Sequence, residues 1–295
     1  MDERRALDLL AADLDAAGDD AAVVGSQVLT TDMLHETTDF PAGTTRYTAG
    51  WRAVGASLSD VAAMGAEATA AVAVYAAPEF DEAELGAFVR GAREVCAAVG
   101  AEYVGGDLDR HAEFTTATTA LGGTDAPVYR SGARPGDAVC VTGALGRSAA
   151  ALRAFEAGDA ETGNDLFRFT PRVADGLALR DRATAMMDSS DGLARSLHQL
   201  AAASDCGFAI TFDDLPVDPA VDAVARDGAD RRELAAFFGE DFELVCTVPP
   251  DRVDAARSAC PAGLTRIGEV RPAEAGVTSD GAPLPDRGYT HGGDG

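Results

Sequence analysis

The sequence predicts an α/β (α+β) chain built as two domains, and three observations predict it. Apolar runs of strand length alternate with Ala- and Leu-rich helical runs in both halves of the chain. A turn-rich stretch, GGTDAPVYRSGARPGD, separates the halves and places the domains at residues 1–125 and 126–295. A length of 295 residues with 46% hydrophobic content is enough to bury two cores.

The elements follow in order. Leu7, Leu10 and Leu14 recur at helical spacing and predict a helix over 3–17. QVLTTDML (27–34) reads as a strand, Tyr47 to Met64 as an Ala-rich apolar helix, and TAAVAVYA (69–76) as a strand. A helix over 81–99 is stopped by Gly100, and strands near 101–105 and 113–121 follow. Beyond the boundary come a strand at 138–142, a helix from about 146, and a helix from Pro171, a residue suited to a first turn. Strand 183–187 leads through MDSSDGL into a helix at 191–203. Strand 207–212, a helical region at 231–237, strand 242–248, helix 251–259 and a strand near 264–270 complete the pattern. The tail YTHGGDG reads as a frayed end.

Composition narrows the function. Acidic residues number 49 against 24 basic ones, for a formal charge of −25, and every basic residue is Arg. Such a surface repels nucleic acid and anionic lipid. It suits a salt-rich, halophilic cytoplasm, where molar salt shrinks the Debye length to roughly 3 Å. No signal core or run of transmembrane length occurs, which predicts a soluble cytoplasmic protein. Cys96, Cys140, Cys206, Cys246 and Cys260 form no C-x-x-C and read as small buried hydrophobes. The four histidines show neither triad nor zinc spacing, and without Lys there is no Walker A motif.

With roughly one residue in six acidic, isolated Asp pairs carry little information. Acids in special settings carry more. Asp19 and Asp20 follow Gly18, Asp32 lies in the strand TTDML, and Asp60 sits on the apolar run SLSDVAAMG. Asp107 follows Gly105-Gly106, and Asp188 and Asp191 bracket a Ser pair. A carboxylate within an apolar helix must be paired, protonated or bound to a metal. Dispersed carboxylates of this kind suit Mg²⁺, which takes oxygen ligands and shares them with substrate phosphates. Gly105-Gly106-Asp107 can bring backbone amides to a phosphate. Arg130 offers a forked donor, and VTGALGRS is either an anion-binding helix start or a plain strand–helix turn.

Taken in chain order, several segments resemble the thiamine-monophosphate kinase family. They are GDDAAVV (18–24), TTDML (30–34), GWRAVGASLSDVAAMGAEA (50–68), GGDL (105–108), YRSGARPGDAVCVTGALGRSAA (129–150), MDSSDGLARSLHQLAAASDCG (187–207), GEDFELVCTV (239–248) and IGEV (267–270). The resemblance implies an aminoimidazole-ribotide-synthetase-like fold. Its N-terminal sheet completes a dimer barrel with a twin, and its C-terminal domain is α/β. It further implies ATP and several Mg²⁺ in a cleft, and direct transfer of the γ-phosphoryl group to thiamine monophosphate. Asp20, Thr30, Thr31, Asp32, Asp60, Asp107, Asp188 and Asp191 are then expected to hold magnesium. Gly106, Asp107, Arg130 and Ser190 are expected at the nucleotide, and Glu240 at the thiamine.

Two departures bear on the acceptor. Asp39-Phe40 stands where the family commonly has a His–Phe pair that touches substrate. Asp286 precedes Arg287-Gly288-Tyr289 where an aromatic usually stacks on it. Asp39 and Asp286 are therefore expected as substrate-side residues. The alternatives are another ATP-dependent enzyme of the same superfamily and a non-catalytic nucleotide- or metal-binding regulator.

Overall fold

The computed structural model describes residue 14 and residues 16–288. Most of the helix expected at 3–17, and the tail from Tyr289, lie outside the described residues. The N-terminal half contains β1 (Ala22–Val24), β2 (Gln27–His35), the short α1 (Glu36–Asp39) and α2 (Arg46–Ala63). It continues with β3 (Glu67–Ala77), α3 (Glu82–Ala98), β4 (Glu102–Arg110) and β5 (Thr115–Gly123). Its five strands form one mixed sheet in the order β1-β2-β5-β3-β4. Only β3 and β4 run parallel, joined by the α3 crossover.

The C-terminal half begins with β6 (Ala138–Thr142), α4 (Arg147–Glu156), α5 (Ala160–Phe167), α6 (Val173–Leu179) and β7 (Ala185–Asp188). Next come α7 (Leu193–Ser204), β8 (Cys206–Ile210), α8 (Pro219–Val224), α9 (Gly228–Ala236) and β9 (Leu244–Val248). It ends with α10 (Val253–Ala259), β10 (Leu264–Pro272), β11 (Val277–Ser279) and β12 (Ala282–Pro283). The second sheet is also mixed, in the order β12-β11-β8-β10-β6-β9-β7. Every residue of β6 and β9 is buried, as central strands covered on both faces require.

Helix α2 is the element shared by both halves. Thr45 caps it by accepting from the Thr48 N–H, and all but four of its eighteen residues are buried. It packs on α3 and the first sheet on one side and on α6 and β7 on the other. A helix apolar all round is a buried helix, and its small residues set how close its neighbours come. The crossing with α3 shows this. A β-carbon at Gly50 would lie 2.1 Å from the Phe88 carbonyl oxygen, and one at Gly91 2.0 Å from the Tyr47 carbonyl oxygen. By contrast α3 is amphipathic, with Asp81 capping its N-terminus and Phe88, Ala92, Val95 and Cys96 on its inner face.

Some elements left no mark in the sequence pattern. α5, α8 and the two short strands at the end of the second sheet are too short for periodicity to emerge. The strand expected at 101–105 runs on to Arg110, so Gly105 and Gly106 lie inside an edge strand beside a bulge. All five cysteines are buried and free, as expected.

Replacing Gly91 by Ala is expected to drive α2 and α3 apart. The cost should be about 2 kcal/mol, a fall in Tm of about 6 °C. Thermal unfolding in molar KCl checks this, and an unchanged Tm would show that the helices cross more loosely.

Candidate active site

A cavity of about 240 Å³ opens between the halves. It is lined by Asp20, Thr30, Thr31, Asp32, Leu34, Asp39, Arg52, Ala56, Asp60, Ser190, Asp191, Glu240 and Phe242. Asp20 arrives just before β1, Thr30 to Asp32 from β2, Asp60 from the last turn of α2, and Ser190 and Asp191 from the loop after β7. In β2, Thr30 is buried while Thr31 and Met33 are exposed. Pleat alternation therefore turns Thr30 and Asp32 toward α2, where the Thr30 hydroxyl donates to Asp60 Oδ2 at 2.5 Å. The Thr31 hydroxyl instead donates to the Thr118 carbonyl.

At the centre, carboxylate oxygens of Asp20, Asp60 and Asp188 lie within 4.8 Å of one another. Asp188 ends the buried strand β7, and Ser59 donates to its Oδ2 at 2.8 Å. Burial, then the Asp188 and Asp20 charges, push Asp60 well above the ordinary carboxylate range. Burial and Asp20 push Asp188 up to about 7, against the opposing pull of Ser59 and Arg130. Arg130 grips Asp20 with both Nε, at 3.3 Å, and Nη2, at 2.9 Å. Burial alone would lower the Arg130 pKa; Asp20, Asp188 and Asp60 raise it instead. Three crowded hard-oxygen donors with a single guanidinium among them are a donor set that fits Mg²⁺.

The loop 239–243 forms the far wall. It interlocks with the Ser189–Gly192 loop: Glu240 N–H donates to Ser190 O at 2.6 Å and Phe242 N–H to Ser189 O at 3.1 Å. Gly239 lies at the crossing, at φ 86°, and a β-carbon there would meet the Ser190 carbonyl oxygen at 2.6 Å. Glu240 and Phe242 follow at φ 64° and 55°, unusual for side-chain-bearing residues and frequent at functional sites. This close fit is why the blocks MDSSDGL and GEDFEL, far apart in sequence, carry their glycines.

Nine of the expected site residues thus line the cavity: Asp20, Thr30, Thr31, Asp32, Asp39, Asp60, Ser190, Asp191 and Glu240. Asp188 completes the carboxylate cluster, and Arg130 joins it through Asp20. Asp39 Oδ2 accepts from the His35 N–H at 2.7 Å, which fixes it at the rim. Asp286 pairs with Arg195 of α7 at 2.9 Å, just beyond the Asp191 loop, and does not line the cavity. Gly106 and Asp107 line a different hollow of about 450 Å³ between β4 and α3, with Tyr75, Phe88 and Tyr103. In register Gly106 pairs with Ala73, Ala73 with Thr118 and Thr118 with Asp32, so three strand spacings, about 14 Å, separate Gly106 from Asp32. The VTGALGRS turn does start a helix, but the anion at its N-terminus is internal. Asp241 accepts from the Gly146 and Ser148 N–H groups at 2.6 and 3.1 Å. The sequence reading missed Arg52 and Phe242; an Arg within the Ala- and Gly-rich run of the helix was the available signal for the first.

An oxygen-donor cavity on two linked α/β units, each with its own mixed sheet, defines an AIR synthase related protein. Residues 18–124 match the N-terminal domain of that family and residues 134–280 its C-terminal domain. The chain is 66% identical to the thiamine-monophosphate kinase of Halobacterium salinarum, over 99% of this chain and all of the relative. It is 39% identical to that of Methanospirillum hungatei, over 99% of both. A solved structure of AaThiL complexed with AMPPCP and TMP superposes with a TM-score of 0.89 at 29% identity, covering 98% of this chain and 97% of that one. The chain belongs to the thiamine-monophosphate kinase family.

The raised carboxylates fix a pH dependence. Folding lifts Asp188 from 3.8 to about 7, so between those values the folded chain holds more protons than the unfolded one. Stability of the metal-free protein from this group therefore falls as pH rises through that window. Mg²⁺ must displace those protons. Added Mg²⁺ is thus expected to raise Tm more at about pH 8 than at about pH 5, and its binding near neutrality to release protons. Differential scanning fluorimetry and calorimetry in buffers of different ionisation enthalpy check both; an equal shift at the two pH values would contradict the assignment.

Proposed function

We propose that this chain phosphorylates thiamine monophosphate to thiamine diphosphate with ATP, in one direct step at the carboxylate cavity. The convergence of Asp20, Asp60 and Asp188, from three separate parts of the chain, carries the reading. An oxygen of the acceptor phosphate attacks the γ-phosphorus, the bond from that phosphorus to its bridging oxygen breaks, and ADP leaves with the electron pair. Mg²⁺ held by Asp20, Asp60 and Asp188, with Thr30, Thr31, Asp32 and Asp191 around it, would offset the repulsion between the two phosphate groups. Arg130, held against the cluster by Asp20, would be the forked donor for nucleotide phosphate oxygens, with Ser190 on the cavity wall. Asp39, Glu240 and Phe242 form the opposite end, where carboxylates and an aromatic face suit a cationic thiazolium ring. Asp286 reaches this end only through the segment around Gly288, which packs on the Asp191 carbonyl.

Gly106 and Asp107 enter the reading through a second copy of the chain. The face of the first sheet turned away from the helices carries Leu29, Met33 and Val104, which are 44%, 51% and 58% exposed. A face this apolar favours burial against its twin, as in a homodimer barrel. The hollow beside β4, lined by Tyr75, Phe88, Val89 and Tyr103, would take the base of the nucleotide. Gly106 and Asp107 would then present its phosphates to the partner's carboxylates. In this reading residues 1–125 supply the dimer face and most of the metal ligands. Residues 126–295 supply Arg130, the Ser190 loop and the acceptor wall. The composition suits these reactions to molar salt, where the charge of −25 is screened.

Incubation with ATP, Mg²⁺ and thiamine monophosphate in molar KCl is expected to yield thiamine diphosphate. Asp60→Asn and Asp191→Asn should each lower kcat/KM about a hundredfold or more. Full activity in both would refute the metal assignment.

A mixing experiment tests the shared site. Asp60→Asn and Asp107→Asn homodimers should each be inactive, whereas a mixture reassembled from monomers should regain about a quarter of wild-type activity, since half the dimers then hold one intact site. No recovery despite subunit exchange would place Asp107 outside the partner's site.

A further inference from the structure

Arg52 is buried to 1% exposure in the middle of α2, the largest side chain so completely enclosed among the described residues. A guanidinium cannot lose protons to escape such a setting, so its surroundings must satisfy it. Here they do so from the other half of the chain. Nη1 donates to the Phe167 carbonyl at 2.7 Å and to Ser148 Oγ at 3.3 Å. Nη2 donates to the Glu240 carbonyl at 2.9 Å and to Glu240 Oε2 at 2.6 Å. The guanidinium plane lies 3.6 Å from the Phe167 ring centre, with the rings of Phe169 and Phe242 at 5.5 and 5.3 Å. Those last two rings stack on each other at 4.3 Å.

The partner of this arginine is a residue in an unusual backbone state. Glu240 holds φ 64°, its N–H bound to Ser190 O, its carbonyl gripped by both Ser148 Oγ and Arg52. Glu240 lines the cavity beside Arg52, which holds its Oε2. Arg52 therefore fixes the backbone and the side chain of the same residue at once, and its aromatic cage holds Phe242 next to it. No other cation makes an ion pair with Glu240 among the described residues.

We propose that Arg52 is a positioning residue for acceptor selection: it aims the Glu240 carboxylate and the Phe242 ring into the cavity so that they recognise a ligand carrying an aromatic cation. Arg52 itself acts through Glu240. This rests on the reading above that Glu240 faces the acceptor. A lysine could keep the charge but not the four-way fork, and a methionine could keep much of the volume but neither.

Steady-state kinetics on Glu240→Gln, Arg52→Lys, Arg52→Met and the Arg52→Met/Glu240→Gln double variant test it. Glu240→Gln is expected to raise the acceptor KM about tenfold, leaving the ATP KM within about twofold. Arg52→Met should do the same, Arg52→Lys less, and the double variant no more than Glu240→Gln alone, because both act on one contact. An acceptor KM unmoved by Glu240→Gln overturns the reading that Glu240 faces the acceptor. An acceptor KM that responds to Glu240→Gln but not to either Arg52 variant overturns the proposal. So does an Arg52→Met effect that falls equally on ATP and acceptor and adds fully to Glu240→Gln. Where circular dichroism shows Arg52→Met unfolded, Arg52→Lys compared with Glu240→Gln decides.

Discussion

Repulsion between the Asp20, Asp60 and Asp188 carboxylates is the constraint around which this molecule is organised. Holding three such groups within 4.8 Å of one another, with Asp188 fully buried, opposes folding unless protons, a guanidinium or metal ions share the space. Each neighbour answers that repulsion. Arg130 closes on Asp20, Ser59 and Thr30 donate hydrogen bonds to Asp188 and Asp60, and burial pushes Asp60 and Asp188 above the ordinary carboxylate range. A divalent cation held between them would resolve the same conflict. The energy stored against folding is what a bound cation would release.

The buried helix α2 makes this concentration possible. Its alanines and glycines let α3, the first sheet and α6 approach closely, so few side chains separate the two halves. Along that one helix stand Arg52, Ser59 and Asp60, which reach Glu240 on the cavity wall, Asp188 and the carboxylate cluster respectively. A rigid, tightly enclosed helix is a suitable mount for groups whose value depends on sub-ångström placement. The interlocked loops at 189–192 and 239–243 extend the same logic: backbone hydrogen bonds and positive φ angles fix Glu240 and Phe242 where a looser loop would let them turn away.

Charge plays two separate roles. Over the chain as a whole, acids outnumber basic residues two to one, a repulsion that molar salt would screen. Inside, the same residue type is unscreened and specific. Arginine serves both regimes, since it stays charged when buried and binds carboxylates and phosphates through a planar fork. That property is used at Arg52, at Arg130 and at Arg172, which holds Glu243 through two hydrogen bonds.

The sequence by itself determined the alternation of strands and helices, the buried unpaired cysteines, and which acids stand in unusual settings. These are local properties: period, glycine punctuation and a charge in an apolar run are all visible within a dozen residues. Asp60 was legible because a carboxylate on an apolar helix needs a partner wherever that helix goes. Tertiary structure alone decided which acids meet. Asp188, at the end of β7, meets Asp20, just before β1, although the two strands lie in different sheets, whereas Asp107 lies three strands from Asp32 although its Gly-Gly setting looked equally promising. It also decided that the helix start at Arg147 is capped by Asp241, and that Arg52 belongs to Glu240. Long-range proximity is set by strand order and helix packing, and a chain's one-dimensional pattern does not contain the distances between residues that only folding brings together.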